Sequence, residues 1–423
     1  MVLYKLFLFL YPKIASILAI FNQKASDWCI GQKQVWKEIQ EAKAKMDQPI
    51  IWIHAASYGE FEQGLPIIEA IRAKYPSYKI WLTFFSPSGY LHRKNDPAVD
   101  VVTYLPLDGP EAARQFIETI QPSLILFIKY EFWYYYLKLA AHHKIPTFLA
   151  SAIFRPDQIF FKFYGGFYRS MLQLFTGILV QDIDSKNLVA PLMKDSYVHI
   201  SGDTRFDRVL EIAAAKKSID WVSKLADGKI IVAGSTWEDD HQIIGSVSAQ
   251  CDQLEQCNWI IVPHHVDAAS IKACRSHFTN AICLSEWLTQ SNTMEKPVVL
   301  IIDQIGLLSQ LYQYAAIAYI GGGFTKDGIH NVLEAAVFGK PVIWGPNDLK
   351  YPEAIGLRNA YGGIQIMDAS SLNKTLEKLL NETTFSKATG DAALKFVQAH
   401  AGATQKTIEY IKQIYVSPID QKL

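Results

Sequence analysis

Two glutamates and a glycine triplet stand where this chain could do chemistry. Glu60 closes the run His54-Ala55-Ala56-Ser57-Tyr58-Gly59-Glu60, in which a strand-like apolar pattern gives way to a helical one. A carboxylate in the first turn of a helix complements the helix dipole. It can equally take a proton from an incoming hydroxyl. Glu131, in Lys129-Tyr130-Glu131-Phe132-Trp133, occupies a second junction of the same kind. Arg155 follows a further apolar run and can pair with a carboxylate or a phosphate, and Arg205, in Gly202-Asp203-Thr204-Arg205-Phe206-Asp207, is another cation at the domain joint. In the second half, Gly321-Gly322-Gly323 end an apolar run and precede His330-Asn331-Val332-Leu333-Glu334. Strand, glycine turn and helix start leave N–H groups unpaired and attract anions, although an ordinary tight turn reads the same way. Lys326 stands where G-x-G-x-x-G needs its third glycine, so the loop suggests a phosphate or nucleotide but not NAD.

Three further junctions belong with these. Ser86-Pro87-Ser88-Gly89 can cap a helix or offer hydroxyls and N–H groups to an anion. Gly234-Ser235-Thr236 precedes the acidic Glu238-Asp239-Asp240, as at a helix start. Pro263-His264-His265 pairs two histidines, but adjacent residues do not share a helix face and no third ligand accompanies them. Contact with a base or a phosphate is the better reading, and no metal site is expected. Neither G-x-x-x-x-G-K-[ST] nor G-x-S-x-G occurs, which removes the commonest NTPase and esterase signatures.

The elements that would position these residues repeat. Apolar runs at 49–55, 79–84, 99–105, 123–128, 146–150 and 177–181 alternate with helical segments, among them 60–74 and an aromatic-rich stretch at 159–175. Runs of that length with helices between them predict parallel strands covered on both faces. The texture turns more polar, rich in Ala and Lys, over 211–227. A second series of strands then follows at 229–233, 259–262, 281–284, 298–302, 316–320 and 341–344, with a helical tail over 385–415. The expectation is an α/β chain of two doubly wound domains joined near residue 215, with ligands at the carboxyl ends of the strands.

Composition narrows the function. The chain has 423 residues, 41 Lys plus Arg against 41 Asp plus Glu, and five cysteines without a C-x-x-C pair. Neutrality argues against a nucleic-acid binder working through bulk charge, and the cysteine pattern fits a reducing compartment. Residues 1–21 are almost wholly apolar, interrupted by Lys5, Pro12 and Lys13. That is borderline for a span, and Pro12 would disrupt one. A signal anchor or an interfacial helix is expected, holding a largely cytosolic enzyme at the membrane.

Taken in order, these motifs, with Tyr104-Leu105-Pro106-Leu107-Asp108 among them, resemble those of the 3-deoxy-D-manno-octulosonic acid (Kdo) transferases of lipopolysaccharide biosynthesis. The resemblance runs from about residue 4 into the C-terminal helices. It implies a glycosyltransferase B fold, with two Rossmann-like domains facing a cleft. A membrane-associated segment over 1–22, an acceptor-binding domain over 23–215 and a CMP-Kdo-binding domain over 216–423 would follow. It implies transfer of Kdo from CMP-Kdo to the lipid A precursor (lipid IVA) with inversion, at the cytoplasmic face of the cell inner membrane. CMP-Kdo would be a co-substrate, with no cofactor and no metal. Glu60 would be the general base, and Glu131 and Arg205 would stabilise the transition state. CMP contacts would fall on Pro263 and His264, on Ile305, Gly306 and Leu307, and on Asn331, Val332, Leu333 and Glu334.

This chain departs from the family pattern in places. Arg205 stands where many members have lysine, and His264 where they often have arginine. Leu307 replaces the glutamate of a Gly-Glu pair, and Ile329 the second glycine of Gly-Gly-His-Asn. A nucleotide-sugar epimerase or another glycosyltransferase of this architecture is the nearest alternative, and a non-catalytic membrane-associated binding protein a more distant one.

Overall fold

The computed structural model describes residues 1–193, 197–215, 217–225, 228–248, 257–289 and 299–415. The chain forms two compact units. The first comprises Met1–Arg208 and the stretch that begins at Ala401, and the second Val209–His400.

The first unit is built on a seven-stranded parallel sheet: β1 (Ile50–Ala55), β2 (Lys79–Phe84), β3 (Val101–Tyr104), β4 (Pro122–Ile128), β5 (Thr147–Ala152), β6 (Gly177–Val180) and β7 (Val198–Ile200). Its order is β3-β2-β1-β4-β5-β6-β7. All six residues of β1 are buried, as a central parallel strand covered on both faces requires. The strand order reverses between β1 and β4. The chain therefore leaves those neighbouring strands in opposite directions, which opens a crevice at their carboxyl ends. Helix Tyr58–Lys74 follows β1 and packs closely on β4; a Cβ at Gly64 would lie 3.0 Å from the Ile128 side chain.

The N-terminal helix Val2–Leu18 is anchored to this unit by Tyr4, whose hydroxyl donates to the Asp108 carboxylate. That carboxylate also accepts the N–H groups of Tyr135 and Tyr136 at the start of helix Tyr134–His142. Much of the helix's apolar surface stays outside, with Val2 and Leu3 each at least 80% exposed. Among the described residues no helix is long and apolar enough to cross a membrane.

The second unit repeats the plan with β8 (Lys229–Thr236), β9 (Cys257–Pro263), β10 (Ala281–Cys283), β11 (Val299–Ile301), β12 (Ile317–Ile320), β13 (Val342–Trp344) and β14 (Gly363–Gln365). They form a parallel sheet in the order β10-β11-β9-β8-β12-β13-β14, which reverses between β8 and β12. The expected α/β fold of two doubly wound sheets is what the chain adopts.

Local expectations needed revision. Strands β7 and β14, edge strands of three residues each, had no counterpart in the pattern. Residue 298 of the expected strand 298–302 lies outside the described residues. The stretch 159–175 is not one helix. It is a 3-10 turn, Ile159–Phe161, then helix Gly166–Leu172, because at Gly165 the chain folds so tightly that a Cβ would sit 1.9 Å from the Ile159 carbonyl oxygen. The helical tail breaks at Gly402 (φ +98°) into Thr383–His400 and Ala403–Ile414. The last helix groups with the first unit, where Asp207 accepts the N–H groups of Gly402 and Thr404 and Tyr410 packs against Phe148. The sequence pattern had grouped it with the helices before it.

Candidate active site

In the first unit the candidate residues gather at the carboxyl ends of β1, β4 and β5. Ser57 stands at the N-cap of helix Tyr58–Lys74 but makes no side-chain cap; Glu60 instead reaches back and accepts the Ala56 N–H at 2.7 Å. Burial, and then the negative charge of Glu131, push the Glu60 carboxyl up to about 7, while the Ala56 N–H and Lys129 pull it down. A carboxyl so placed is half ionised near neutrality, the condition a general base needs. The structure thus brings together the two glutamates singled out in the sequence.

Glu131 is held by a buried set of groups. Lys129 takes a left-handed conformation (φ +69°) as the chain leaves β4, and two residues later the Glu131 carboxylate meets His54 from β1. His54 Nε2 lies 2.9 Å from Glu131 Oε2, and Trp133 Nε1 donates to the same oxygen at 2.6 Å. A cavity of about 580 Å³ opens beside Glu131, lined also by Tyr4, Tyr130, Phe132, Arg155 and Phe160. Arg205 shares this electrostatic neighbourhood: its charge and that of Arg155 act on Tyr130, as does Glu60. Its guanidinium is gripped by Asp203, with Nε at 2.8 Å and Nη2 at 2.7 Å from Oδ2. Asp203, Tyr130 and the holding role of His54 were missed in the sequence. A strand histidine flanked by apolar residues carries no sign of its partner 77 residues away.

In the second unit the glycine triplet leaves β12 as expected. Gly322 has φ +87°, and a Cβ there would lie 2.5 Å from the Gly328 carbonyl oxygen, so the turn needs glycine on both counts. Asp240 braces it from below, accepting from Gly322 N–H (2.8 Å), Trp237 N–H (2.9 Å) and the Tyr319 hydroxyl (2.6 Å). The helix expected to start at His330-Asn331 is a single turn, Leu333–Ala336. Asn331 serves it much as a cap: its Oδ1 accepts the Leu333 N–H and its Nδ2 donates to Glu334.

Around this turn three rings assemble. Trp237 and His330 are coplanar within 2°, joined edge to edge by an indole N–H···Nε2 hydrogen bond of 2.9 Å. His264, from the end of β9, stacks on Trp237 at 4.5 Å and on His330 at 4.6 Å. Burial lowers His330 to about 4 and lowers His264 as well, so both are neutral at pH 7. Pro263 and His264 at the end of β9 thus lie near the stretch Asn331–Glu334 that follows β12, the two strands flanking β8. Gly306 (φ +93°) turns the chain into helix Leu308–Leu311 after β11, with Ile305 exposed beside it and Leu307 at the N-cap position. Trp237 gave no signal in the sequence. No group of three His, Cys, Asp or Glu side chains among the described residues is placed to hold a metal ion.

The profile of the family described as 3-Deoxy-D-manno-octulosonic-acid transferase (kdotransferase) matches residues 32–208, which include Glu60, Glu131 and Arg205. Proteins named 3-deoxy-D-manno-octulosonic acid transferase align over most of the chain. The Rickettsia felis protein is 28% identical over 88% of this chain and 80% of its own. That of Haemophilus influenzae is 28% identical over 86% of both. The Aquifex aeolicus protein is 29% identical over 78% of this chain and 86% of its own. The chain is a Kdo transferase homologue. Its likeness to the enzymes of that glycosyltransferase family, suggested by its motifs, runs over most of the chain. Solved structures give the fold independently. UDP-GlcNAc 2-epimerase from Neisseria meningitidis, bound to UDP-GlcNAc, superposes with a TM-score of 0.62 at 16% identity, covering 86% of this chain and all of that one. A putative UDP-N-acetylglucosamine 2-epimerase from Listeria monocytogenes gives 0.62 at 14% over 86% of this chain and 96% of its own. These likenesses show a glycosyltransferase B-type architecture and nothing about substrate.

Proposed function

We propose that this Kdo transferase homologue moves Kdo from CMP-Kdo to the lipid A precursor, with inversion, and that Glu60 is the general base. The observation that carries the reading is the Glu60 carboxyl, half-buried near Glu131 and raised to about 7 at the end of the central strand. It takes the proton of an acceptor hydroxyl as that oxygen attacks the anomeric carbon of Kdo, and CMP departs. Glu131 and the Asp203-braced Arg205 supply fixed charges in the same neighbourhood, suited to the charge that develops in transfer. CMP-Kdo acts as a co-substrate, held in the second unit by the residues that converge on the glycine turn: Pro263, His264, Ile305, Gly306, Leu307 and Asn331 to Glu334. The Asn331 cap and Glu334 suit ribose hydroxyls, and the turn's N–H groups suit phosphate.

The same reading places the enzyme at the cytoplasmic face of the inner membrane, where a lipid acceptor resides. Exposed Leu3, Phe9 and Ile17 on the N-terminal helix support an interfacial seat. The deciding experiment incubates the purified chain with CMP-Kdo and lipid IVA and follows released CMP together with the mass of the lipid product. Release of CMP without a Kdo-bearing lipid would sink the proposal.

A further inference from the structure

The proton order around His54 follows from hydrogen-bond logic. Trp52 Nε1 can only donate, and it donates to Thr83 Oγ at 2.8 Å. The Thr83 hydroxyl keeps a single proton, for which His54 Nδ1 at 2.8 Å and the Ile53 carbonyl at 3.5 Å compete. Of the two tautomers, the one that presents an N–H to the Glu131 carboxylate accepts this proton at His54 Nδ1. A neutral imidazole that accepts at Nδ1 carries its proton on Nε2, the nitrogen 2.9 Å from Glu131 Oε2. Trp133 Nε1, nearer that oxygen (2.6 Å) than His54 Nε2 (3.2 Å), donates to it too. The chain Trp52–Thr83–His54 thus delivers one N–H, and Trp133 a second, to a single carboxylate oxygen. His54, Thr83 and Trp52 are fully buried, so water cannot replace either end of the chain.

We propose that His54 is a positioning residue for the transfer reaction: its Nε2–H, oriented by Trp52 through Thr83, fixes Glu131 as the charged neighbour that tunes Glu60. The proposal rests on the reading of Glu60 as the base. Other groups act here as well. Lys129 and Tyr130 come from the loop after β4, Arg155 and Asp157 from the loop after β5, and Tyr4 and Tyr168 from flanking helices. Arg205 with Asp203, and Asp182, complete the set. His54 and Trp133 bond directly to Glu131 Oε2, at 2.9 and 2.6 Å, so each can be altered with the other groups left in place.

The test is the pH dependence of kcat, measured with the full chain for the parent, His54→Leu, His54→Gln, Trp133→Phe and Glu131→Gln. The parent should show an acid limb near pH 7 from Glu60. Glu131→Gln removes the neighbouring charge and keeps the shape, so the limb should move down by about one pH unit or more. His54→Leu and Trp133→Phe, each losing one donor, should move it in the same direction. His54→Gln can still present an N–H toward Glu131 and should keep it near the parent position. A limb that moves in Glu131→Gln but stays put in His54→Leu, with only stability or kcat reduced, overturns the proposal and leaves the Glu60 reading standing. Absence of the limb in the parent, or a limb unmoved in Glu131→Gln, overturns both. Should His54→Leu fail to fold, Trp133→Phe, whose ring is only half-buried, decides by the same criterion.

Discussion

The Tyr4 hydroxyl donates to the Asp108 carboxylate, tying the N-terminal helix to the loop after β3 across 104 residues. Burial raises Asp108 to about 6, and the hydroxyl is one of the groups that pull it back down. A raised carboxyl favours the fold most when protonated, and that benefit is lost as pH rises through its folded value. Tyr4→Phe leaves the buried carboxylate one donor short. The expected cost is about 1–3 kcal/mol above pH 6, shrinking below it. Denaturant unfolding at pH 5 and pH 8 measures this, and an equal cost at both would refute it.

Glu60 carries opposite consequences for activity and stability. As a base it must be ionised, so kcat should fall as pH drops below about 7. Glu60→Gln should lose about 10²–10⁴-fold in kcat. The folded carboxyl sits above its ordinary value, so the charged form opposes folding, and the penalty is complete only above pH 7. Glu60→Gln, whose amide oxygen can still accept the Ala56 N–H, should therefore be more stable than the parent at pH 8 by about 2 kcal/mol, discounted for partial solvent access. The gain should vanish near pH 4. A variant both active and no more stable would contradict the assignment.

At His264 a ring, not a fixed cation, faces the glycine turn's neighbour His330. With its value lowered by burial and by His265, it supplies no charge to a donor phosphodiester at pH 7. Donor affinity should improve as pH falls below the ordinary histidine range, where the ring gains a proton. His264→Arg can keep the stack on Trp237 and add a fixed cation. Its KM for CMP-Kdo should drop about 5-fold at pH 7 and lose that pH dependence. Steady-state kinetics at several pH values provides the check; an unchanged KM would place the phosphate elsewhere.

The N-terminal helix offers a test of location. Phe9 and Ile17 are 61% and 63% exposed and make little contribution to the core. Phe9→Glu with Ile17→Glu should leave the folded spectrum unchanged and abolish sedimentation with phospholipid vesicles. Retained vesicle binding would shift the membrane seat away from this helix.

Much of this molecule was legible in one dimension. Parallel strands buried on both faces need unbroken apolar runs, so β1, β4, β8 and β12 announced themselves, and Glu60, Glu131 and the glycine turn stood out where those runs ended. Strand-end chemistry is local, and local chemistry shows in spacing. What the sequence did not contain is who meets whom. His54 reaches Glu131 only because β1 and β4 are neighbours at the strand-order reversal. Trp237 joins His330 and His264 only because β8 lies between β9 and β12. The final helix sits on the first unit through Asp207, nearly 200 residues away, and through Tyr410 on the still more distant Phe148, contacts that leave no periodic trace. The proton order at His54 arises from its hydrogen-bond partners, and the raised carboxyl of Glu60 from burial and through-space charge. Those are properties of the folded surroundings, and only the tertiary structure could decide them.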